Sequence, residues 1–180
     1  LVTIAKDVKI QVEFNPALVG AYRLIGYENR MLKKEDFNDD RKDAGEIGAG
    51  HTVTALYEIA PPGSAEFERS IDPLKYQKKE ESRDRRYREE LMTVKIRYKE
   101  PAGFNSKLLS EVILNNPART TSGNFRWSAA VAGFGMLLRD SEFKGNATFE
   151  MVKELAYGAK GEDPEGYRAE FIRLVDSGAL

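Results

Sequence analysis

The single histidine of the chain follows a glycine-rich loop, and these are the residues best suited to acid–base or anion chemistry. His51 comes directly after the segment Gly45–Gly50, which contains three glycines. Glycine-rich backbone can present amides to an anion, and histidine can transfer protons near neutral pH. Phosphate loops open a helix, whereas these glycines precede a strand-like segment. We predict a tight turn at Gly45–Gly50 and a hydrogen-bonded His51 at a sheet end. A small-ligand-binding or hydrolytic site near them is the alternative.

Oxygen-bearing side chains alternate just before this loop, as they do at the start of a calcium loop. Asp36, Asn38 and Asp40 have the required spacing, because such loops wrap alternate oxygen ligands around one ion. The pattern then fails, since Arg41 stands where the loop needs glycine and Ile47 where it needs a bidentate glutamate. We interpret the segment as a solvated acidic loop and predict no metal site.

The strongest charge run, Lys75–Glu90, includes the arginines of Arg83–Arg88. Arginine with neighbouring tyrosine can contact nucleic acid phosphates and bases, so anion or nucleic-acid binding through Arg83–Arg88 is a second alternative. Interspersed carboxylates oppose it, because phosphate affinity comes from uncompensated positive charge. The run is predicted to be a loop or solvated helix between strands that is long enough to dock a protein.

Composition excludes several classes of site. There is no cysteine, which excludes disulfides, thiolate metal sites and cysteine nucleophiles. The chain has 28 Lys+Arg against 29 Asp+Glu, and this balance argues against a general polyanion binder. No apolar run approaches the roughly 18–20 residues that span a bilayer. No pairing of carboxylates, no nucleophile elbow and no cofactor motif is recognisable, so no catalytic, cofactor or metal residues are assigned and an enzyme is not predicted.

The elements that would position these residues begin with Val8–Phe14. Apolar and polar residues alternate strictly there, which predicts a half-buried strand with Val8, Ile10, Val12 and Phe14 facing the core. The strand starts almost at the first residue, without a starting methionine or a signal peptide. We therefore expect it to lie at a junction with a preceding part of a longer protein.

Four more strands are predicted from β-branched and aromatic content between turn signals. They are Ala21–Tyr27, His51–Ile59, Leu91–Tyr98 and Lys107–Leu114. Gly26 suggests a bulge in the first of these strands. Residues 33–50 are predicted to be a polar connection with one helical turn.

The last third of the chain is predicted to be helical. A helix over Phe125–Arg139 is apolar nearly all round, which is typical of a buried helix. The next helix contains Phe149–Ala156 with Thr148 as its N-cap. For the third helix, Asp163 is the predicted N-cap, Pro164 the first helical residue and Gly178 the stop.

Aromatic residues of the helical third can pack together or line a pocket. Phe125, Trp127, Phe134 and Phe149 are the set concerned. Their helical spacing favours a core cluster.

Strands followed by helices predict an α+β fold: an antiparallel sheet or sandwich of five or more strands with three C-terminal helices packed on it. A β-rich subdomain over residues 1–118 and a helical subdomain over 119–180 are expected to form one compact unit.

Four segments in this order carry a family resemblance: VKIQVEFNP, YRLIGYENR, DAGEIGAGHTVTALYEI and FRWSAAVAGFGMLLR. The chain resembles the C-terminal region of bacterial von Willebrand factor type A domain proteins of the YfbK type, a region of unknown function. The resemblance implies a preceding type A domain in the same chain as a partner. It also implies a cell-envelope or periplasmic location, with a lipid anchor at an N-terminus outside this sequence.

The metal-dependent adhesion motif of type A domains, Asp-x-Ser-x-Ser, is missing from this sequence. The expected function is therefore a non-enzymatic accessory module that contacts the type A domain and a further protein partner.

Overall fold

The computed structural model of the chain describes residues 2–27, 31–64, 87–116 and 120–178. They belong to two compact units, Leu1–Asn116 and Pro117–Leu180. The first contains six strands in two antiparallel sheets, and the second contains three helices. The predicted α+β class is confirmed. No helix in the described ranges is long and apolar enough to cross a membrane.

The larger sheet has four strands in the order β3-β1-β5-β6. Its strands are β1 (Thr3–Phe14), β3 (Gly45–Gly48), β5 (Glu90–Lys99) and β6 (Lys107–Leu114). β1 begins five residues before the predicted start, and β6 has the predicted bounds. The prediction that residues 33–50 are only a connection is wrong at β3, which pairs with the early half of β1. Four residues that include two glycines carry little strand signal of their own, so this strand depends on its partner.

The smaller sheet pairs β2 (Ala21–Ile25) with β4 (Leu56–Ala60). β2 ends two residues early because Gly26 and Tyr27 both have positive φ angles, 78° and 61°, which turn the chain away. The predicted strand His51–Ile59 is wrong in its first half. Residues 51–55 are exposed and have no regular structure, because β2 supplies only five residues for pairing.

A 3₁₀ helix, Lys34–Phe37, provides the helical turn that was predicted between β2 and β3. Its Phe37 is buried and lies 5.7 Å from the guanidinium carbon of Arg97 on β5. This contact holds the connection against one face of the larger sheet.

The expected burial of β1 is reversed at its centre. Lys9 is only 2% exposed, whereas Ile10 is 50% exposed. The prediction that the apolar residues of Val8–Phe14 face the core is therefore wrong at Ile10. The 3₁₀ helix and the residues after it cover the polar face of the sheet, and they leave the apolar face open at this point.

The three helices are α1 (Gly123–Leu138), α2 (Phe149–Ala159) and α3 (Tyr167–Gly178). The predicted cap of α2 is confirmed, because the Thr148 hydroxyl accepts a hydrogen bond from the Met151 amide at 3.2 Å.

The predicted start of α3 is wrong. Pro164 lies in a turn, and the helix begins at Tyr167 after Gly166, whose φ is 76°. Asp163 still caps α3 from the far side of that turn. Its carboxylate accepts hydrogen bonds from the amides of Arg168 at 3.1 Å and Ala169 at 2.8 Å.

The core of the helical unit has a small aliphatic centre with aromatic residues packed around it. It consists of Ala130, Val152, Ala156, Ile172 and Val175, surrounded by larger residues that include Trp127, Phe134, Phe149 and Phe171. Trp127, Phe134 and Phe149 thus pack in the core as predicted, whereas Phe125 is exposed. The expectation that α1 is buried all round is wrong, because only Ala130 and Gly133 of this helix are buried.

Candidate functional site

The apolar face of the larger sheet carries exposed aliphatic side chains on two of its strands. Cross-strand pairing aligns Ile10 with Ile96 and Ile96 with Leu109, so three aliphatic side chains form one row across three strands. A second row is formed by Phe14, Met92 and Ile113 in the same way, and Val12 lies opposite Val94 between the two rows.

This face is only partly covered. Ile10 is 50% and Leu109 is 56% exposed at the two sides of their row, and every residue of the central strand β5 is only half-buried. A sheet of this size normally buries one face against another layer. The apolar face therefore has the composition of a contact surface.

An aromatic cluster closes one end of this face. The Phe14 ring lies 4.7 Å from the Tyr22 ring and 5.4 Å from the Tyr57 ring, centroid to centroid. Phe14 thereby joins the larger sheet to the β2–β4 sheet. Burial raises the pKa of the Tyr57 phenol, and the neighbouring Tyr22 adds to this effect.

The opposite face of the sheet contains a buried ammonium group. The Nζ atom of Lys9 donates hydrogen bonds to the carbonyl oxygens of Asp36 at 3.1 Å and Asp39 at 2.5 Å. These carbonyls belong to the end of the 3₁₀ helix and the turn after it, where carbonyl groups attract a cation. Lys9 thus anchors the connection to the sheet.

The oxygen atoms of the calcium-like segment accept hydrogen bonds from lysine and arginine side chains of the protein itself. Asn38 Oδ1 accepts a hydrogen bond from Arg97 at 3.0 Å, and the Asp40 carbonyl accepts one from Lys99 at 2.7 Å. With Lys9 on the Asp36 carbonyl, side chains from β1 and β5 satisfy this loop. Within the described ranges, no three His, Cys, Asp or Glu side chains are grouped so as to hold a metal ion.

Carboxylates around this loop are held in their charged form. Hydrogen bonds from the Arg41 side chain and backbone lower the pKa of Asp39 to about 2. Those from Ser106 lower the pKa of Asp40. Lys99 Nζ lies 2.7 Å from Asp7 Oδ2, and this hydrogen bond lowers the pKa of Asp7. The network is electrostatic support for the sheet rather than a source of protons.

Asp7 is the residue of this network that sequence patterns missed. Its φ is 52°, and it lies in a bulge where β1 passes from pairing Lys6 with Lys99 to pairing Lys9 with Arg97. The extra residue keeps Lys6 and Lys9 on one face although they are three positions apart. The tolerance of aspartate for positive φ is the one sequence signal, and it is weak.

The residues of the alternative site near His51 and Gly45–Gly50 lie on a short strand and on the exposed segment that follows it. Gly45–Gly48 is strand β3, and His51 lies on the exposed segment 49–55 with its ring Nδ1 3.2 Å from the Ala49 carbonyl oxygen. His51 is thus exposed to solvent rather than enclosed by neighbouring side chains.

The arginine alternative falls mostly outside the described residues. Of Arg83–Arg88, the structure describes only the last two residues, and of Lys75–Glu90 only the last four. The described end is tied to the turn after β1, because the Asn15 side-chain amide donates to the carbonyls of Tyr87 at 2.8 Å and Glu90 at 2.7 Å.

Comparison with known proteins matches the whole chain to one family. The family model for the C-terminal region of the uncharacterized protein YfbK covers residues 1–180. The chain is also 47% identical over 176 residues to the uncharacterized protein YfbK of Escherichia coli (strain K12). That alignment includes 98% of this chain but only 30% of the relative, so the chain spans less than a third of the curated relative's length. No solved structure matches.

Proposed function

The chain belongs to the YfbK C-terminal family, and on this basis we propose that it is a non-enzymatic interaction module following a von Willebrand factor type A domain. The relative is more than three times as long as the aligned region, a length that is consistent with other domains on the relative's chain. The sequence resemblance points to a type A domain as the neighbour. The proposed task of the module is to contact that domain and to present it to a further protein.

The exposed Ile10–Ile96–Leu109 row is the observation that carries this proposal. Ile10 and Leu109 at the two sides of the row are left half-exposed and Ile96 between them is partly buried, whereas Lys9 on the polar face of the same sheet is covered by residues 36–39. Exposed contiguous apolar surface is typical of a protein contact. In the proposal, the type A domain provides the missing layer.

A neighbour on the same chain is the occupant that this surface suits best. Tethering makes docking intramolecular, so the effective concentration is in the millimolar range for short linkers. Two apolar rows, with Val12 and Val94 between them and Glu111 at the β6 end of that middle row, are then sufficient without large hot spots. The charged groups at its border would set the orientation of the type A domain.

The electrostatics of the described residues support a non-enzymatic role. General acid catalysis needs a carboxyl group whose pKa is raised toward neutrality. The pKa values of Asp7, Asp39 and Asp40 are instead lowered, because cations and amides hydrogen-bond to their charged forms. These groups stabilise the loop on the sheet.

Titration of this chain with the separately produced type A domain of a full-length relative tests the proposal. Ile10→Lys places a charge at one side of the apolar row and should weaken binding about tenfold, because half an isoleucine side chain contributes about 1–1.5 kcal/mol. Glu13→Lys is the matched control, since Glu13 lies on the opposite face of the same strand and is exposed. Calorimetry measures both affinities.

Two results would refute the docking surface. The first is that the two domains do not bind each other even when they are joined in one chain. In that case amide exchange at Ile96 would be as fast as in the module alone. The second is that Ile10→Lys binds as tightly as Glu13→Lys. Either result would show that the apolar row is not the contact.

We also propose a cell-envelope location for the full-length protein, on the strength of the family resemblance. Fractionation of cells that express a full-length relative, with antibody detection of this region, measures it. Recovery in the cytosolic fraction would contradict the location and leave the docking test unaffected.

A further inference from the structure

The outer edge of β6 is a second surface, distinct from the apolar face. β6 is the terminal strand of the larger sheet, and seven of its eight residues are exposed. Its inner edge pairs with β5 from Glu90↔Leu114 to Tyr98↔Lys107. Among the described residues, no strand pairs with its outer edge. That edge therefore presents free amides and carbonyls along the strand.

β6 lacks the features that usually keep an edge strand from pairing. Proteins protect edges with short strands, proline, bulges or several charges. β3, at the other edge of the sheet, has only four residues. β6 has eight residues without proline, and only Lys107 and Glu111 are charged. Leu108, Leu109, Val112 and Leu114 are exposed along it.

We propose that β6 pairs with β6 of a second copy of this chain, as an antiparallel two-fold interface. In a two-fold pair of identical strands, one residue lies opposite itself, and this residue defines the register. Directly opposite side chains then lie on the same face. The larger sheets of the two copies become one eight-stranded sheet.

Three registers differ in charge and length. Centring on Glu111 puts two carboxylates opposite each other, which is destabilising. Centring on Leu109 pairs Lys107 with Glu111 of the second copy but aligns only five residues of β6, from 107 to 111.

Centring on Ser110 is the register favoured by the sequence of β6. It aligns seven residues, from 107 to 113, and places Leu108 opposite Val112 of the second copy at both ends. Lys107 then lies diagonal to Glu111 of the second copy, within reach of its long side chain. The same strand thus supplies both the apolar and the charged halves of the contact.

The absence of cysteine makes this register measurable. In the proposed pair the two Cα atoms of residue 110 lie about 4.5–5.5 Å apart, within the range of a disulfide. A register shifted by two residues separates them by about 8 Å, which a disulfide does not bridge. Ser110→Cys should therefore form a covalent dimer under mild oxidation. Val53→Cys, which is exposed on another segment, is the control.

A charge exchange provides an independent test. Ser110→Lys and Ser110→Asp each put like charges opposite each other and should weaken self-association about fivefold. An equimolar mixture of the two variants should regain it, because a lysine then faces an aspartate. Sedimentation equilibrium measures the change from 20.3 kDa toward twice that mass. Ile10→Lys lies two strands from the edge and should dimerise normally, which separates this interface from the apolar face.

The proposal is overturned by any of three results. One is a chain that stays at monomer mass at the highest soluble concentration. Another is Ser110→Cys cross-linking no faster than Val53→Cys. The third is protection of the outer β6 amides from exchange in dilute monomer, which would mean that a segment of the same chain covers the edge.

Discussion

Arg168 should contribute more to the stability of the helical unit than any exposed ion pair, and its substitution tests how the three helices are held together. Its guanidinium donates to the carbonyls of Ala159 at 2.9 Å and Lys160 at 2.8 Å, where α2 ends. It also donates to Asn124 Oδ1 of α1 at 3.2 Å and lies 4.8 Å from the Trp127 ring. One side chain of α3 thus contacts both other helices.

Arg168→Ala should lower the free energy of unfolding by about 2 kcal/mol. Each hydrogen bond to the end of α2 contributes about 0.5–1 kcal/mol net, because water can reach part of the site. The contact with the Trp127 ring adds about 0.5–1 kcal/mol. Arg168→Lys keeps the charge, but its single nitrogen cannot reach the α2 carbonyls and Asn124 while a planar group lies on the Trp127 ring, so it should lose about half as much.

Urea unfolding followed by the fluorescence of Trp127, the single tryptophan, is the assay. With a denaturant slope of about 2 kcal/mol per molar, Arg168→Ala should lower the midpoint by about 1 M. Arg173→Ala is the control, because Arg173 is on the same helix and its ion pair with Glu170 is exposed. Arg173→Ala should lower the free energy of unfolding by no more than about 0.5 kcal/mol. Equal midpoints for the two variants would refute the role of Arg168.

Three further predictions concern the loop on the sheet and the close contacts of the helices. Lys9→Met should destabilise the β unit by about 2 kcal/mol, because two loop carbonyls lose a charged donor. Lys95→Met is the control and should have little effect. Amide exchange of β1 measures both variants, and equal exchange rates would contradict the anchoring role of Lys9. Asp39 has a pKa of about 2 against a usual 3.8. The stabilising contribution of Asp39 is therefore complete above pH 3.8 and lost as the pH falls toward 2. Asp39→Asn should make the free energy of unfolding depend less steeply on pH in that window. An unchanged pH profile would contradict this role of Asp39. A Cβ at Gly178 would lie 3.1 Å from a Phe134 ring atom, whereas nothing lies within 4 Å of one at Gly158. Gly178→Ala should thus lower the free energy of unfolding and Gly158→Ala raise it, by about 1 kcal/mol each. Thermal unfolding measures both, and the opposite order would refute the close packing.

The strand and helix order followed from local patterns wherever an element carries its own signal. β5 alternates apolar and polar residues, and β6 is a short Leu/Val/Ile-rich segment that ends at turn residues; the bounds predicted for β6 agree with the observed ones. Thr148 caps α2 because a hydroxyl at that position can accept an amide hydrogen bond irrespective of the rest of the fold. The family resemblance was equally a property of the sequence, and the family match confirms it.

The elements that depend on a partner were predicted poorly. β3 is a strand because β1 lies beside it, and residues 51–55 are not because β2 is too short to pair with them. The start of α3 at Tyr167 depends on Asp163 reaching across a turn.

The two faces of β1 also show which features follow from the sequence and which depend on the tertiary structure. Alternation in Val8–Phe14 determined that β1 has one apolar and one polar face, since successive side chains of a strand point in opposite directions. Only the tertiary structure decided which face is covered, because that depends on where residues 34–40 lie and on the Asp7 bulge. Lys9 is buried because its ammonium group donates to two carbonyls there, whereas Ile10 on the other face is left half-exposed.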